Sequence, residues 1–276
     1  MTRSDPAASL TREVLERMAG TPDPRLREVL DAAVRHLHGF AREVGLTPAE
    51  WAAGIRFLTA VGHMSDDQRQ EFILLSDTLG LSSLIETIAH PADAATEATV
   101  LGPFYVPGAP WRAAGDSIAV ADPGGVPTLV RGRVRTFGGS ALSGAVLDVW
   151  QCASNGMYDV QDPAQPRGNM RGRFRADDGG QFVFRTSRPV SYTVPDDGPV
   201  GVLLRASGRH PWRAAHIHVI VSADGHDPVT THLFDAEDSN LDSDAVFGVR
   251  ASLVKEFVPQ PDGSTLVEHD FVLRAA

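Results

Sequence analysis

The stretch RAAHIHVIV, residues 213–221, carries two histidines one residue apart within a run of β-branched residues. In a β-strand successive side chains alternate between the two faces, so His216 and His218 share one face and Ile217 lies on the other. Two imidazoles on one face of an apolar strand are costly to bury unless another group uses them. The stretch therefore predicts a strand with a functional face.

The same spacing occurs in RHLHGF, residues 35–40, but its surroundings differ. There the apolar residues recur at helical intervals, and helix positions two residues apart point in nearly opposite directions. We therefore expect His36 and His38 to lie on the surface of a helix, whereas the pair at 216 and 218 converges.

The composition favours an enzyme or a small-molecule binder. The chain has 276 residues and a formal net charge of −10, which argues against a nucleic-acid backbone as its partner. No apolar run approaches the length of a membrane-spanning helix, and no secretion signal is expected, so we expect a cytoplasmic protein without membrane insertion. Cys152 is the single cysteine, which excludes an internal disulfide and a thiolate metal cluster.

The sequence pattern changes from helical to β-rich after about residue 100. Residues 1–100 show helical periodicity and helix-start signals, among them the capping-box pattern TPAE at residues 47–50. From about Val126, short β-rich runs alternate with glycine, proline and aspartate clusters, as is typical of a β-sandwich or barrel. We predict a mainly β fold with an α-helical N-terminal region over residues 1–100 and a β-sandwich over residues 101–276.

Two tyrosines are candidate partners of the histidine pair, because two histidines rarely complete a metal site. Of only three tyrosines, Tyr158 and Tyr192 follow β-rich runs that precede the histidine strand. Strand exits are positions where a β scaffold presents functional groups. The alternative interpretation of each tyrosine is an amphipathic residue at a sheet edge. That of each histidine is a residue whose hydrogen bonds are satisfied within the sheet. The joint arrangement favours a metal site.

The order of three motifs resembles that of the intradiol ring-cleavage dioxygenases, which open catechols between their hydroxyl groups. The motifs are GMYD at residues 156–159, RPVSYTVP at 188–195 and RAAHIHVIVSADGH at 213–226. The resemblance covers about residues 40–256 and is strongest to the hydroxyquinol (benzene-1,2,4-triol) 1,2-dioxygenases. It implies a β-sandwich catalytic domain and a helical region that forms a homodimer interface, often with a bound phospholipid.

The resemblance also implies the metal and its ligands. One Fe(III) per chain would be bound by Tyr158, Tyr192, His216 and His218. Tyrosinate is a hard anionic ligand that suits the ferric ion, whereas the arrangement of two histidines and one carboxylate suits Fe(II). The ion would thus activate the catechol for reaction with O₂.

Two residues receive catalytic roles from the resemblance. Tyr192 is the expected ligand that leaves when the catechol binds and takes up a substrate proton. Arg213 lies on the opposite face from His216 by simple alternation, so we expect it to reach the site only through a bend in the chain. Its permanent charge would stabilise the electron-rich ring carbon. A surface salt bridge is the alternative role of Arg213.

Two positions depart from the pattern of the family. Ala214 stands where a proline is usual, which removes no functional group. His232 stands where catechol-type members commonly have glutamine, and histidine there resembles the hydroxyquinol branch. The alternative interpretation of His232 is an exposed strand residue.

A substrate pocket is implied as well, and Asp77 is its most informative member. An acid beside a mostly apolar ring site can accept a hydrogen bond from a third hydroxyl, which catechol lacks. The residues expected to bind substrate are Leu74, Asp77, Val100, Leu101, Gly102, Pro103, Phe104, Val194, Pro195, Arg213, His232 and Val246.

The expected reaction is the cleavage of hydroxyquinol by O₂ to 3-hydroxy-cis,cis-muconate, the tautomer of maleylacetate. A catechol or chlorocatechol 1,2-dioxygenase is the alternative within the family. A β-sandwich binding module without catalysis and a Zn²⁺ hydrolase are the alternatives outside it. Both of these would be colourless, whereas a ferric tyrosinate protein is wine-red.

Overall fold

The computed structural model describes residues 6–66, 69–90 and 95–276. They form two compact units, one ending at Ala60 and the other beginning at Val61. The helices in the described residues are α1 (Pro6–Met18), α2 (Pro24–Glu43), α3 (Pro48–His63), α4 (Glu71–Thr78), α5 (Leu81–Ala89) and α6 (Pro199–Ala206). The prediction of an α-helical N-terminal region is therefore confirmed. The predicted functional division at residue 100 falls within the second unit and stays a prediction.

Helices α2 and α3 begin where the sequence supplies acceptors for their first backbone N–H groups. The Asp23 side chain precedes α2 and accepts hydrogen bonds from the backbone of Arg25 and Leu26. The capping box of α3 is present: the Thr47 N–H donates to the Glu50 carboxylate at 2.8 Å, and the Glu50 N–H donates to the Thr47 hydroxyl at 3.3 Å. Local sequence therefore determines both helix starts.

The histidine pair in the helical region does not converge. His36 and His38 lie on α2, where His36 is exposed and His38 is half-buried. The Nδ1 atom of His38 is 3.0 Å from the hydroxyl of Thr11. The expectation of a helix surface for this pair is confirmed, with His38 also bonded to a neighbouring helix.

Across the described ranges, no single helix combines the length and the apolar composition that a membrane crossing requires. Helices α4 and α5 satisfy these criteria only when taken together, and they meet at an angle of 75°.

The strands of the described residues form two larger sheets and a short ladder. They are β1 (Pro127–Thr136), β2 (Val146–Trp150), β3 (Arg171–Arg175), β4 (Gln181–Ser187), β5 (Tyr192–Thr193), β6 (Trp212–Arg213), β7 (His216–Ser222), β8 (Val229–Asp235), β9 (Val254–Lys255), β10 (Val258–Pro259), β11 (Thr265–Glu268) and β12 (Phe271–Leu273). The first sheet has the order β10-β11-β1-β12, and β4 also pairs with β1. The second sheet has the order β3-β2-β7-β8-β9, and β5 pairs with β6.

Apolar side chains from the facing sides of the two sheets form the main core. Val130, Phe184 and Phe271 contribute from the first sheet, and Leu147 and Val219 contribute from the second; all are fully buried. Two sheets packed over a shared apolar layer make a β-sandwich, so the predicted fold class is confirmed.

Strand β7 separates this core from the candidate site. Ile217, Val219 and Val221 point into the core. By alternation, His216 and His218 point to the outer face of the second sheet. A second cluster of buried residues comprises Phe104, Trp150, Cys152, Tyr158 and Tyr192.

Candidate metal centre

A row of four buried side chains crosses the outer face of the second sheet. The register places Arg171 of β3 opposite Trp150 of β2, Trp150 opposite His218 of β7, and His218 opposite His232 of β8. Directly opposed residues on neighbouring strands share a face. All four are at most 3% exposed, and the Trp150 and His218 rings stack with their centroids 4.6 Å apart. The sheet thus holds the His218 ring between fixed neighbours.

Four side-chain donor atoms meet beside this row. The Tyr158 hydroxyl oxygen is 3.1 Å from that of Tyr192 and 3.1 Å from His218 Nε2. His218 Nε2 is in turn 3.0 Å from His216 Nε2. The histidines come from β7, Tyr192 begins β5, and Tyr158 lies in the loop between β2 and β3. The structure therefore brings together the four residues predicted as metal ligands from three separate parts of the chain.

The histidines of this cluster are in the form that binds metals. His216 Nδ1 is 2.6 Å from the carbonyl of Ala214, which can only accept, so Nδ1 carries the proton and Nε2 keeps its lone pair for the cluster. Burial, followed by the charge of Arg213, lowers the pKa of His216 well below its ordinary value. Burial and the neighbouring His216 do the same to the pKa of His218. Both rings are therefore neutral near pH 7.

The tyrosines need a cation before they can ionise. Burial raises the pKa of Tyr158 well above its ordinary value, and Tyr192 raises it further. Burial also raises the pKa of Tyr192, although the charge of Arg213 opposes this change. A multivalent metal ion supplies the positive charge that turns such phenols into ligands.

The donor set fits a single transition-metal ion. Ligand atoms that lie about 2 Å from one ion are roughly 3 Å apart, and the three neighbouring pairs along this cluster are 3.0–3.1 Å apart. One ring nitrogen from each of His216, His218 and His232 also lies within 4.8 Å of the other two. Within the described ranges, His218 Nδ1 and both ring nitrogens of His232 are buried and have no well-aligned hydrogen bond. Burial raises the pKa of Cys152 to about 12, and its thiol donates to the Val190 carbonyl at 3.8 Å.

His232 packs against the predicted ligands. It is 0% exposed, so the alternative of an exposed strand histidine is wrong. Its ring stacks on that of His216 with centroids 4.4 Å apart and meets that of His218 edge-on at 4.2 Å. Contact with substrate remains a prediction for His232.

Arg213 reaches the cluster because the strand alternation is interrupted. Strand β6 ends at Arg213 and pairs with β5, whereas β7 begins at His216 and pairs with β2 and β8, so a single strand's alternation does not connect the two residues. Arg213 Nη1 donates to the Tyr192 oxygen at 3.3 Å and lies 3.2 Å from His216 Nε2. The side chain is 2% exposed, so the alternative of a surface salt bridge is wrong.

Asp244 is a residue of the site that the sequence reasoning missed. Its carboxylate accepts from Arg213 Nε at 3.2 Å and from the Gly248 N–H at 2.8 Å. A side chain at Gly248 would place its Cβ only 2.9 Å from Arg213 Nη2, so glycine is needed there for this approach. Burial lowers the pKa of Arg213, but Asp244 and the tyrosines outweigh burial and raise it. The guanidinium is therefore permanently charged.

Asp77 is a buried acid near Arg213. It is 2% exposed at the end of α4, and burial raises its pKa. A hydrogen bond with Ser82, followed by the charge of Arg213, opposes that rise. An aspartate so placed can accept a hydrogen bond from a polar ligand group.

Two of the other predicted pocket residues contact the cluster, and the others range from buried to exposed. The Phe104 ring stacks on Tyr158 with centroids 4.6 Å apart, and Gly102 lies next to the His218 ring. Leu101 is 42% exposed. Those at most 2% exposed are Leu74, Val100, Val194 and Val246. Pro103 and Pro195 are half-buried.

Three more residues of the site were not predicted from the sequence. Trp150 stacks on His218, and Arg171 pairs with Asp159, the residue directly after Tyr158. Asp159 stands inside the quoted GMYD motif, and its adjacency to a candidate ligand is the one cue that was available. The pairing of Arg171 with it depends on strand register.

The fold and the site define a β-sandwich protein with a buried cluster of two tyrosines and two histidines whose donor atoms could hold a metal ion. Residues 100–275 match the Dioxygenase family and residues 23–97 match the family described as the catechol dioxygenase N terminus. The chain belongs to the intradiol ring-cleavage dioxygenases, a family of enzymes.

Relatives with known names agree with this assignment. The chain is 50% identical to 6-chlorohydroxyquinol 1,2-dioxygenase of Cupriavidus pinatubonensis over 96% of both chains. It is 44% identical to hydroxyquinol 1,2-dioxygenase of a Rhizobium species, over 94% of this chain and 92% of that one. The structure of hydroxyquinol 1,2-dioxygenase from Pseudomonas putida DLL-E4 matches with a TM-score of 0.91 and 47% identity, over 98% of this chain and 99% of that one.

Proposed function

We propose that this protein cleaves hydroxyquinol with O₂ between its adjacent hydroxyl groups, giving 3-hydroxy-cis,cis-muconate, the tautomer of maleylacetate. The observation that carries the proposal is the meeting of two tyrosines, two histidines and a buried arginine in one cluster. Relatives named for hydroxyquinol substrates at 44–50% identity support the substrate. A relative named catechol 1,2-dioxygenase, from Candida albicans, is 39% identical.

We propose one Fe(III) per chain, held by Tyr158, Tyr192, His216 and His218. When bound, the ferric ion draws electron density from a chelated catecholate and makes its ring reactive towards O₂. The neutral imidazoles add no charge, and the two phenolates offset part of the charge of the ion. The protein supplies a dry site that holds these donors in place before substrate arrives.

Tyr192 and Arg213 would handle the proton and the charge of the substrate. A catechol that binds as a dianion gives up two protons: the Tyr192 oxygen is the proposed acceptor of one, and a hydroxide ion in the site would take the other and become water. Arg213 Nη1, 3.3 Å from that oxygen, stabilises negative charge there until the proton arrives. The same guanidinium is positioned to stabilise charge on the substrate ring.

Asp77 would select hydroxyquinol over catechol. The proposed pocket is mostly apolar, and the Ser82 hydroxyl supplies Asp77 with one donor, so a carboxylate oxygen left without a donor is still costly. The third hydroxyl of hydroxyquinol can donate to Asp77, whereas catechol leaves that acceptor unmatched. The remaining proposed pocket residues would hold the ring from both faces.

A spectroscopic and kinetic experiment tests the function. Protein loaded with Fe(III) should be wine-red, and anaerobic hydroxyquinol should change the visible spectrum. After O₂ is admitted, mass spectrometry should find the substrate plus both oxygen atoms in one acyclic product. Higher kcat/KM for catechol or chlorocatechol would favour the alternative within the family. A colourless protein that binds Zn²⁺ through its three-histidine cluster would refute the proposal.

Replacing Asp77 by leucine should lower kcat/KM for hydroxyquinol by about tenfold to a hundredfold more than that for catechol. The lost interaction is one hydrogen bond to a charged group, worth about 1.5–3 kcal/mol. Steady-state kinetics on both substrates measures it, with iron content checked to be unchanged. Tyr192→Phe is the control, since it should damage both reactions. Equal losses on both substrates in Asp77→Leu would mean that Asp77 is architectural.

We also propose that residues 1–100 form a homodimer interface, with a phospholipid as a further ligand, in a cytoplasmic protein. Helices α2 and α3 support this, because large apolar side chains are exposed along them. The most exposed are Leu37 at 66%, Trp51 at 60% and Phe40 at 53%. Lipid extraction followed by mass spectrometry tests for the phospholipid.

The wild-type protein should show the mass of two chains by light scattering at micromolar concentration. Leu37→Asp should weaken the dimer by about tenfold to a hundredfold, since burying one leucine contributes about 1.5–3 kcal/mol. Val258→Asp changes an apolar residue that is 46% exposed on β10 and should leave the mass unchanged. A single-chain mass for the wild type would contradict the proposed interface.

A further inference from the structure

A second buried arginine, Arg171, lies beside Tyr158. The residue is 3% exposed, and its guanidinium carbon is 6.0 Å from the centre of the Tyr158 ring, within the range of a cation–π contact. Its Nε donates to the Asp159 carboxylate at 2.7 Å. The other oxygen of that carboxylate accepts from the Gly168 N–H at 2.8 Å. Arg171 is thus tied both to the ring of Tyr158 and to the residue that follows it.

The position of Arg171 is set by the sheet and by the last residues of the loop that carries Tyr158. Arg171 begins β3 and stands opposite Trp150 in the strand register. Met170, just before it, has φ of 56°, a left-handed conformation that is uncommon for a residue other than glycine. Asn169 is fully buried and donates to Ala121 and Gln165. The turn at Asn169 and Met170 therefore fixes the position of Arg171 at the start of β3.

The two buried arginines of the site contact different parts of their tyrosines. Arg213 donates to the Tyr192 oxygen. Arg171 lies against the ring of Tyr158 and leaves its oxygen to His218 and Tyr192. The Nη1 and Nη2 atoms of Arg171 are buried and have no hydrogen-bond partner within the described ranges. Because two of its nitrogens have no acceptor among the described residues, the Arg171 guanidinium acts on Tyr158 through its positive charge and its contact with the ring more than through hydrogen bonds.

We propose that Arg171 is a positioning residue that holds Tyr158 in place as an iron ligand, through Asp159 and through the face of the ring. The inference rests on the proposed function for the iron itself. A purely structural role would stabilise the loop but leave the metal properties of Tyr158 unchanged, so the two roles can be separated by experiment.

Arg171→Met tests the proposal in the Fe(III)-loaded protein. Fe(III) affinity should fall by about tenfold to a hundredfold, the usual effect of removing a group that orients a metal ligand. The tyrosinate-to-iron absorption band should shift or weaken. Arg171→Lys should recover part of both properties, since it keeps the charge near Asp159 but lacks the planar guanidinium. If Arg171→Met does not fold, Arg171→Lys is compared with the wild type and with Arg69→Met instead.

Arg69→Met is the matched control. Arg69 pairs with Glu71, a fully buried carboxylate, at 3.0 Å, so its loss also leaves a buried acid without its cation. We expect this variant to lose thermal stability and to keep the wild-type band and Fe(III) affinity. If Arg171→Met behaves like Arg69→Met in all three properties, Arg171 has only a structural role and the proposal is wrong.

A readout without iron separates this inference from the proposed function. The chain has only three tyrosines, so fluorotyrosine labelling gives three ¹⁹F signals that Tyr→Phe variants can assign. In the metal-free protein the Tyr158 signal should move in Arg171→Met and in Asp159→Asn, and stay in place in Arg69→Met. An unmoved Tyr158 signal would refute the positioning role. A wild-type protein that takes up no Fe(III) would refute the proposed function, while the Tyr158 signal would still decide whether Arg171 positions that ring.

Discussion

His218→Ala should bind no Fe(III), show no visible colour and lose at least about a thousandfold in kcat. The Nε2 atom of His218 is within 3.1 Å of both His216 Nε2 and the Tyr158 oxygen, so its removal takes away the donor between them. A catalytic metal ion contributes several kcal/mol to the transition state, and each 1.4 kcal/mol is about tenfold in rate. Metal analysis, the visible spectrum and turnover of hydroxyquinol measure the three losses.

His232→Ala is the matched control for this variant. His232 stands directly opposite His218 in the strand register and is equally buried, so both changes remove an imidazole from the same row. We expect His232→Ala to keep one iron per chain and its colour. Full iron occupancy in His218→Ala would contradict the proposed ligand set. Loss of iron from His232→Ala alone would assign His232 as a ligand in place of His218.

Arg213→Met should lower both stability and turnover. The variant leaves the Asp244 carboxylate buried and unpaired, which costs about 3–5 kcal/mol in the free energy of unfolding. It also removes the donor at 3.3 Å from the Tyr192 oxygen. Loss of a preorganised donor of this kind lowers kcat by roughly a hundredfold to a thousandfold. Denaturant unfolding and steady-state kinetics of the iron-loaded protein measure the two effects separately.

A double variant separates the two roles of Arg213. Arg213→Met combined with Asp244→Asn removes both charges of the buried pair, so most of the lost stability should return. Turnover should remain low, because no guanidinium then donates to the Tyr192 oxygen. Recovery of turnover together with stability would show that Arg213 acts only by holding the fold.

Much of the candidate site follows from local patterns and a family resemblance. Alternation alone places His216 and His218 on one face, and the motif order singles out Tyr158 and Tyr192. The capping box TPAE and the change of texture after residue 100 predict the helical region and the β-sandwich. These features are predictable because each depends on residues that are near one another in the chain.

Other parts of the site depend on contacts between distant segments. Asp244 meets Arg213 across 31 positions of the chain, and no local pattern specifies that pair. Simple alternation places Arg213 on the wrong face, and only the break between β6 and β7 turns it inward. His232 is buried because the register of β8 sets it against His218.

The sequence by itself determined the strand, the facing histidines and the helix starts, because alternation and capping act within a few residues, and its resemblance to the family supplied the candidate ligands. Only the tertiary structure decided which charges are buried together. It placed Arg213 with Asp244, and Arg171 with Asp159 next to Tyr158. The physical reason is that a buried ion pair forms only when strand register and chain turns bring both partners out of water at the same point.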